Sequence, residues 1–173
     1  MRRLLALALV LAPATLRAQP APDAPVPQHV TRLLELAGGG FREVRGELDY
    51  QSGATQFSTP YRSAYPLLVG GSSVRSTIWV NANWNVLHTS WIPVGGERPA
   101  LPATWASAAD SIRAVLPPGW TEHRVGEQSF VWWSECEGTR GRQVSLGVSL
   151  PFQEPGLVLN VYRFDEPCPA TAR

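Results

Sequence analysis

The sequence predicts an α+β fold in which two helices pack on one face of a twisted antiparallel sheet of about six to eight strands. Three observations support this prediction. Residues 28–37 and 104–116 carry apolar side chains at helical spacing. The stretches that follow them alternate apolar and polar residues between short turns, which is typical of antiparallel strands. Residues 28–92 and 104–164 show the same order of elements, which predicts a helix-plus-strands pseudo-repeat within a single domain, residues 28–173.

The N-terminal residues 1–18 are predicted to be a secretory signal peptide. Arg2 and Arg3 precede an apolar run that is too short to span a bilayer, and the segment ends on the small residue Ala18. Cleavage is expected after Ala18, with Ala14 as the alternative. Residues 19–27 contain four prolines and are predicted to be a linker. The mature chain is therefore expected to be exported, to the periplasm or the medium, without membrane insertion.

The charge of the mature chain argues against several partners and chemistries. Removing Arg2, Arg3 and Arg17 from fifteen basic residues leaves twelve, against fourteen Asp and Glu. No basic surplus remains to favour nucleic acid or an anionic membrane surface. The chain has no Lys, which excludes Schiff-base catalysis by lysine and a phosphate-binding P-loop lysine.

Two cysteines, Cys136 and Cys168, remain in the expected exported chain. An even number of cysteines in an oxidising compartment favours a disulfide. A metal site or a redox pair is the alternative, but neither cysteine has a neighbouring His and no Cys-x-x-Cys occurs. The sequence therefore predicts one structural disulfide between them.

The first half is predicted to begin with a helix that Gly38 ends, because glycine enters the left-handed region freely. Pro66 favours an edge or bulge position for the second strand, and a hairpin turn is expected at 70–73. The predicted elements are a helix at 28–37 and strands at 41–50, 61–69, 74–80 and 84–92.

The second half is predicted to begin with a helix capped by Thr104 and stopped by Pro117 and Pro118. The predicted elements are a helix at 104–116 and strands at 120–125, 129–136, 143–150 and 157–164.

A short motif at the joint between helix and first strand supports the repeat. Each joint carries Gly, an aromatic residue, Glu and Arg in the same order and spacing, at 40–45 and again at 119–124. Aligning Gly40 with Gly119 also superposes the apolar stripes of the two helices. The Glu–Arg pairs, Glu43–Arg45 and Glu122–Arg124, are interpreted either as two symmetry-related ligand contacts or as exposed ion pairs.

No motif for catalysis or for a cofactor stands out. His29, His88 and His123 lack metal-ligand spacing, and no Gly-x-Ser-x-Gly occurs. The triple glycine at 38–40 follows a helix, whereas a phosphate cradle requires glycine before one. No catalytic residue, metal or cofactor is therefore predicted.

The strand tryptophans indicate a binding surface on the sheet face that the helices leave open. Large aromatic residues on both faces of a strand mean that both faces are buried or that some aromatics line the open face. The alternative is ordinary strand packing. The candidate binding residues are Trp79, Asn81, Asn83, Trp91, Trp133, Arg45 and Arg124.

These observations favour an exported, non-catalytic domain that binds a protein, peptide or small ligand on its open sheet face. One alternative is a small extracytoplasmic hydrolase that uses Glu43, Glu122, His88 or His123. The other is a structural domain that assembles into oligomers through the open face.

The disulfide is testable on the mature protein. The oxidised protein should weigh two hydrogen atoms less than the reduced one, and Cys168→Ser should lower its free energy of unfolding by about 3–4 kcal/mol. Intact-mass spectrometry and urea unfolding measure the two effects. Reduced wild-type protein is the control and should match the variant, whereas two alkylatable thiols before reduction would contradict the prediction.

Overall fold

The structure, a computed structural model, confirms the α+β class: two helices pack with one large antiparallel sheet of eight strands, beside a small two-stranded one. It describes residues 25–69, 71–82, 85–94, 101–126, 130–137, 140–149 and 156–165. The helices are α1 (Pro25–Gly38) and α2 (Leu101–Val115). The large sheet comprises β1 (Arg45–Leu48), β2 (Ser58–Ser63), β5 (Ser76–Asn81), β6 (Val86–Pro93), β7 (Thr121–Val125), β8 (Phe130–Glu137), β9 (Arg140–Ser149) and β10 (Gly156–Phe164). The small sheet is a hairpin of β3 (Leu68–Val69) and β4 (Ser72–Ser73).

The strand order shows how the two halves are related. Across the large sheet the strands follow the order β1-β2-β5-β6-β10-β9-β8-β7. The first half contributes β1, β2, β5 and β6 from one edge to the centre, and the second half contributes β7, β8, β9 and β10 from the other edge to the centre. A pseudo-two-fold axis at the centre of the sheet therefore relates the two halves. They meet where β6 and β10 pair antiparallel, from Gly156 opposite Pro93 to Arg163 opposite Val86.

The apolar core lies between the helices and one face of the sheet. Positions that the predicted repeat aligns are buried in both helices, such as Leu33 with Ile112 and Val30 with Ala109. Side chains alternate along a strand, so the residues between the core positions point to the opposite side. We call that side, which neither helix covers, the open face.

The first helix begins earlier than predicted, so part of the expected linker 19–27 is helical. Pro25 and Pro27 fit the first turn, where a backbone N–H has no acceptor within the helix. Val26 between them is fully buried in the core. The second helix likewise starts at Leu101, which places Thr104 inside its first turn and not at the N-cap. Residues 1–24 and Cys168 lie outside the described residues.

The joint after α1 is a Schellman motif centred on Gly40, two residues beyond the predicted stop at Gly38. The Gly40 N–H donates to Ala37 O at 2.9 Å, and the Phe41 N–H donates to Leu36 O at 3.0 Å. Gly40 has φ 64°, and buried Phe41 is itself left-handed at φ 55°. A 3-10 turn, Arg42–Val44, therefore precedes β1 where a strand had been predicted. Gly119 repeats the left-handed conformation at the second joint, with φ 95°.

Strand β2 also differs from its prediction. The predicted strand 61–69 is divided between β2 and the separate β3–β4 hairpin. Within this segment Pro60, not Pro66, lies in the large sheet, and its carbonyl accepts a hydrogen bond from the Asp49 N–H at 3.0 Å. The β1–β2 pairing is irregular beside it, which fits the missing proline N–H.

The left-handed joint predicts opposite effects at two glycines. Gly40→Ala should lower the free energy of unfolding by about 1 kcal/mol, because a β-carbon is disfavoured at positive φ. Gly38→Ala is the matched control: it lies in the helix with nothing within 4 Å of an added Cβ, and should be neutral or stabilising. Urea unfolding measures both. Equal effects at the two positions would contradict the role of Gly40.

Candidate functional site

The open face is organised as rows of side chains that run across the strands. Directly paired residues share a face, and neighbouring strands lie about 4.8 Å apart. The central row consists of Arg62 (β2), Thr77 (β5), Thr89 (β6), Asn160 (β10), Ser145 (β9), Trp132 (β8) and His123 (β7). Its middle is formed by hydroxyl and amide groups, and its β8 end is aromatic.

Apolar and aromatic residues flank this polar row on both sides. One flanking row contains Pro60, Trp79, Leu87 and Tyr162, and the other contains Trp91, Val158, Gly147 and Phe130. Trp79, Trp91 and Trp132 are half-buried, so each presents part of its ring to solvent. Trp132 stacks on His123, with ring centroids 5.1 Å apart and planes at 16°.

The open face of the five inner strands β5, β6, β10, β9 and β8 carries no charged side chain among the described residues. Antiparallel sheets with one solvated face usually alternate apolar residues with polar and charged ones. Here the alternates are aromatic, aliphatic, hydroxyl or amide groups, of which Thr77 and Ser145 are buried. Charge approaches the face at its β5 end, where Thr77 Oγ1 donates to Asp49 Oδ2 at 3.2 Å and Arg75 pairs with that carboxylate. This surface is therefore suited to contacts with an uncharged partner.

Two polar atoms in the middle of this face lack hydrogen-bond partners. Asn160 donates from Nδ2 to Ser145 Oγ at 3.2 Å, but its Oδ1 is buried and unpaired. The Trp91 indole lies over Gly156, where an added Cβ would be 2.7 Å from Nε1, and this N–H is also buried without a partner. An unsatisfied buried polar group costs about 1–3 kcal/mol. A ligand that supplied a hydrogen-bond partner to either atom would therefore recover this free energy on binding.

The structure divides the sequence-predicted aromatic residues between the two faces. Trp79, Trp91 and Asn81 lie on the open face, whereas Asn83 lies outside the described residues. Trp133 faces the helices: it is 2 % exposed, and its Nε1 donates to Glu122 Oε2 at 2.7 Å. Trp133 is therefore a core residue.

Two features of the open face were not predicted from the sequence: the residue next to Trp133, and the polar row. Trp132 takes the open-face position, and the middle of the row is formed by Thr89, Asn160 and Ser145. The buried positions Val131 and Trp133 alternate with Trp132. That alternation was present in the sequence, but only the strand register reveals the row.

The predicted polar pair Arg45 and Arg124 cannot form one site. They lie on β1 and β7, the two edges of the sheet, which are seven strand spacings or about 34 Å apart at about 4.8 Å per spacing. Arg45 donates to Gly40 O at 3.2 Å and lies over the Tyr61 ring. The Glu–Arg pair forms in the second half, between Arg124 Nε and Glu122 Oε1 at 2.6 Å. In the first half, 76 % exposed Glu43 instead lies 4.0 Å from Arg32.

Glu122 links the edge strand β7 to α2. Its carboxylate accepts hydrogen bonds from Arg113 Nε at 2.7 Å, from Arg124 and from Trp133. The Arg113 hydrogen bond, helped by the other donors, lowers the pKa of Glu122 to about 2. A carboxylate held ionised by so many donors is a poor general acid or base near neutral pH, so this cluster has a structural role.

A second polar cluster is buried under the first turns of α1. His88 Nε2 lies 2.9 Å from Ser63 Oγ, Ser90 Oγ lies 3.5 Å from His29 Nε2, and Ser76 Oγ lies 2.9 Å from Ser90 Oγ. The rings of the two histidines contact each other edge to face. Burial lowers the pKa of His29 to about 4 and that of His88 to about 3. Both histidines are therefore neutral in the folded protein at neutral pH.

The residues considered for a hydrolase do not come together. Glu43 lies on an exposed turn, Glu122 on an edge strand, His88 in the core and His123 on the open face. Within the described ranges, no three His, Cys, Asp or Glu side chains are grouped to hold a metal ion. Neither of the described helices has the length and apolarity that a membrane span requires.

A cavity of about 350 Å³ at the C-terminal end of α1 is lined by three arginines, but they are already engaged. Arg142 donates to Leu34 O at 3.3 Å and pairs with Glu135. Arg163 donates to Gly38 O at 2.9 Å, and its second nitrogen pairs with Asp165 at 3.1 Å. Arg140 pairs with Asp165 at 3.6 Å. Arg142 and Arg163 neutralise the carbonyl end of the helix, so the cavity is a weaker candidate site than the open face.

Comparison with known proteins assigns no family. No protein-family model matches the chain, and neither a curated protein nor a solved structure matches it significantly.

The buried histidines predict a pH-dependent stability. Histidine in the unfolded chain has a pKa of about 6.5, so lowering the pH from 7 to 5 protonates the unfolded state while both buried rings stay neutral. The free energy of unfolding should fall by up to about 2 kcal/mol per histidine over this interval. Urea unfolding at both pH values measures the loss.

The matched comparison uses two glutamine variants. His88→Gln removes one of the buried titrating rings and should flatten this pH dependence. His123→Gln, on the open face, leaves the buried pair intact and should retain the wild-type dependence. Identical pH profiles for wild type and His88→Gln would contradict the interpretation.

Proposed function

We propose that this protein is an exported, non-catalytic domain that binds an uncharged ligand on its open sheet face. The observation that carries the proposal is the open face of five strands whose own described side chains are uncharged. On this face Trp79 and Trp91 flank a row of hydroxyl and amide groups, and Trp132 continues that row. Export rests on the sequence of residues 1–18, which predicts a signal peptide.

Stability alone does not account for this face. The core under the helices already contains Trp105 and Trp133. A half-buried tryptophan leaves part of its apolar ring in water, where the hydration of that surface is unfavourable. Partly exposed aromatic rings grouped on one surface are instead typical of binding sites, because they supply large rigid contact areas.

The two alternatives have less support. A hydrolase requires an acid, base or nucleophile gathered around one position, and the four residues considered for it lie apart: three on separate surfaces and His88 in the core. Pairing of subunits through the open face would bury its centre, and interface centres are usually apolar. The centre here is the polar pair Thr89 and Asn160.

Tryptophan substitution tests the proposal. Trp79→Ala and Trp132→Ala should each weaken binding at least about tenfold, because each removes a ring that contacts ligand. The probes are neutral hexasaccharides, a hexapeptide pool and phosphatidylcholine vesicles, followed by intrinsic tryptophan fluorescence and calorimetry. The proposal fails if no probe binds, or if the open-face variants bind the active probe as well as wild type.

A core tryptophan separates a binding defect from unfolding. Trp133→Ala should cost about 3–5 kcal/mol of unfolding free energy, as for other large aromatic truncations in cores. The open-face variants should lose less, because their rings are only partly buried. Open-face variants that unfold as readily as Trp133→Ala would show that their rings are structural and would overturn the proposal.

A further inference from the structure

We propose that the ligand of the open face is a segment of a neutral polysaccharide that lies across the strands along the central row. This inference rests on the proposed function and adds the chemical class of the ligand and its direction. Three features carry it: the chemistry of the row and its flanks, the positions of the aromatic rings, and the absence of charge on the described part of the inner strands.

The chemistry of the row matches that of a sugar ring. A pyranose presents apolar C–H groups on its faces and hydroxyl groups around its rim. The flat indole and phenol rings of Trp91, Trp132 and Tyr162 suit the faces. The Thr89 hydroxyl and the Asn160 amide can each donate and accept, as hydroxyl groups require.

The aromatic rings lie on both sides of the central pair. Trp91 follows Thr89 by two residues on β6, and Tyr162 follows Asn160 by two residues on β10. Since β6 and β10 are antiparallel, these two rings flank the Thr89–Asn160 pair from opposite sides. A ligand that runs along the row therefore passes between them and reaches Trp132 two strands further on.

The spacing of the row favours a polymer over a single sugar. Neighbouring row members lie about 4.8 Å apart, a distance similar to the repeat of one pyranose in an extended chain. Thr89, Asn160, Ser145 and Trp132 occupy four consecutive strands. Consecutive sugar units would meet consecutive strands.

The unpaired atoms add an independent reason. Asn160 Oδ1 and Trp91 Nε1 supply one acceptor and one donor near the middle of the row, both buried and without partners. A hydroxyl group is both donor and acceptor and can satisfy either atom.

Other uncharged partners fit less well. A peptide that uses its backbone adds to the free edge of a sheet, and the inner strands are paired on both sides. Phosphorylated or uronic-acid ligands would bury anionic charge, which is costly without a cationic partner. Among the described residues, the arginines near the row are Arg62 at its β2 end and Arg75, which already pairs with Asp49 beside Thr77.

The first experiment compares ligands on the mature protein. Calorimetry with cellohexaose, xylohexaose and mannohexaose should detect saturable binding to at least one, with a Kd below about 1 mM. Hexagalacturonate, of equal length but charged, should bind at least about tenfold more weakly. Raising NaCl should change the Kd for the neutral sugar less than about twofold, because no ion pair contributes.

The second experiment maps the bound sugar. Asn160→Asp should weaken sugar binding at least about tenfold, because it introduces a charge and removes a donor at the centre. Thr89→Val should weaken it severalfold. Thr59→Val is the matched control: Thr59 pairs with Val80 on the helix-bearing face, so binding should not change.

The outcomes separate this inference from the proposed function. If only the hexapeptide pool or the vesicles bind, and Trp132→Ala abolishes that binding, the open face is a binding site and the polysaccharide inference is wrong. If no probe binds, both fail. Sugar binding that Asn160→Asp and Trp132→Ala leave unchanged would place the sugar elsewhere and would also overturn both.

Discussion

The pairing of β6 with β10 is the interaction on which the rest of the structure depends. It joins two four-stranded halves into one sheet and aligns their buried residues, such as Ile92 with Leu157 and Ser90 with Leu159. Without it each half would have an unpaired inner edge and one helix for cover. With it, the two helices contact each other over a continuous core. The same pairing brings Thr89 and Asn160 together at the centre of the open face.

The two halves keep the same architecture but use polar groups differently. The first half has buried His29 and His88 beneath its helix, linked through serines to the sheet. The second half has the exposed Glu122 network between helix and edge strand. The shared constraint is geometric: a left-handed glycine releases each helix, and the aromatic residue after it packs toward the core.

Most of the architecture could be predicted from the sequence. Apolar residues recur every 3.6 positions in an amphipathic helix and every second position in a half-buried strand, and this spacing indicates which face each element buries. Both helices and the second-half strands lie close to their predicted positions. The first half was harder, because Pro25 and Pro27 resemble a linker although a first helical turn accepts them. The left-handed Phe41 and the separate β3–β4 hairpin depend on tertiary packing that local patterns do not contain.

The candidate site was less predictable, because it depends on strand register. The sequence places the tryptophans in strands. It does not show which face of the sheet each one occupies, and this is the difference between adjacent Trp132 and Trp133. The row Thr89, Asn160 and Ser145 combines residues from three strands and two halves. Hydroxyl and amide residues of this kind can be recognised as one site only when the strand register shows that they lie opposite one another.

The pseudo-two-fold axis through the β6–β10 pairing has a consequence for the origin of the protein. A self-complementary contact of one strand with its symmetry mate is the geometry of an isologous dimer interface. Each half therefore has the form of one subunit, and the whole chain has the form of a homodimer fused into one polypeptide. Fusion removes the requirement that both subunits be identical. The face above this pairing can then carry Thr89 opposite Asn160 once, whereas a symmetric dimer would have to repeat any pair of unlike residues on the other side of the axis.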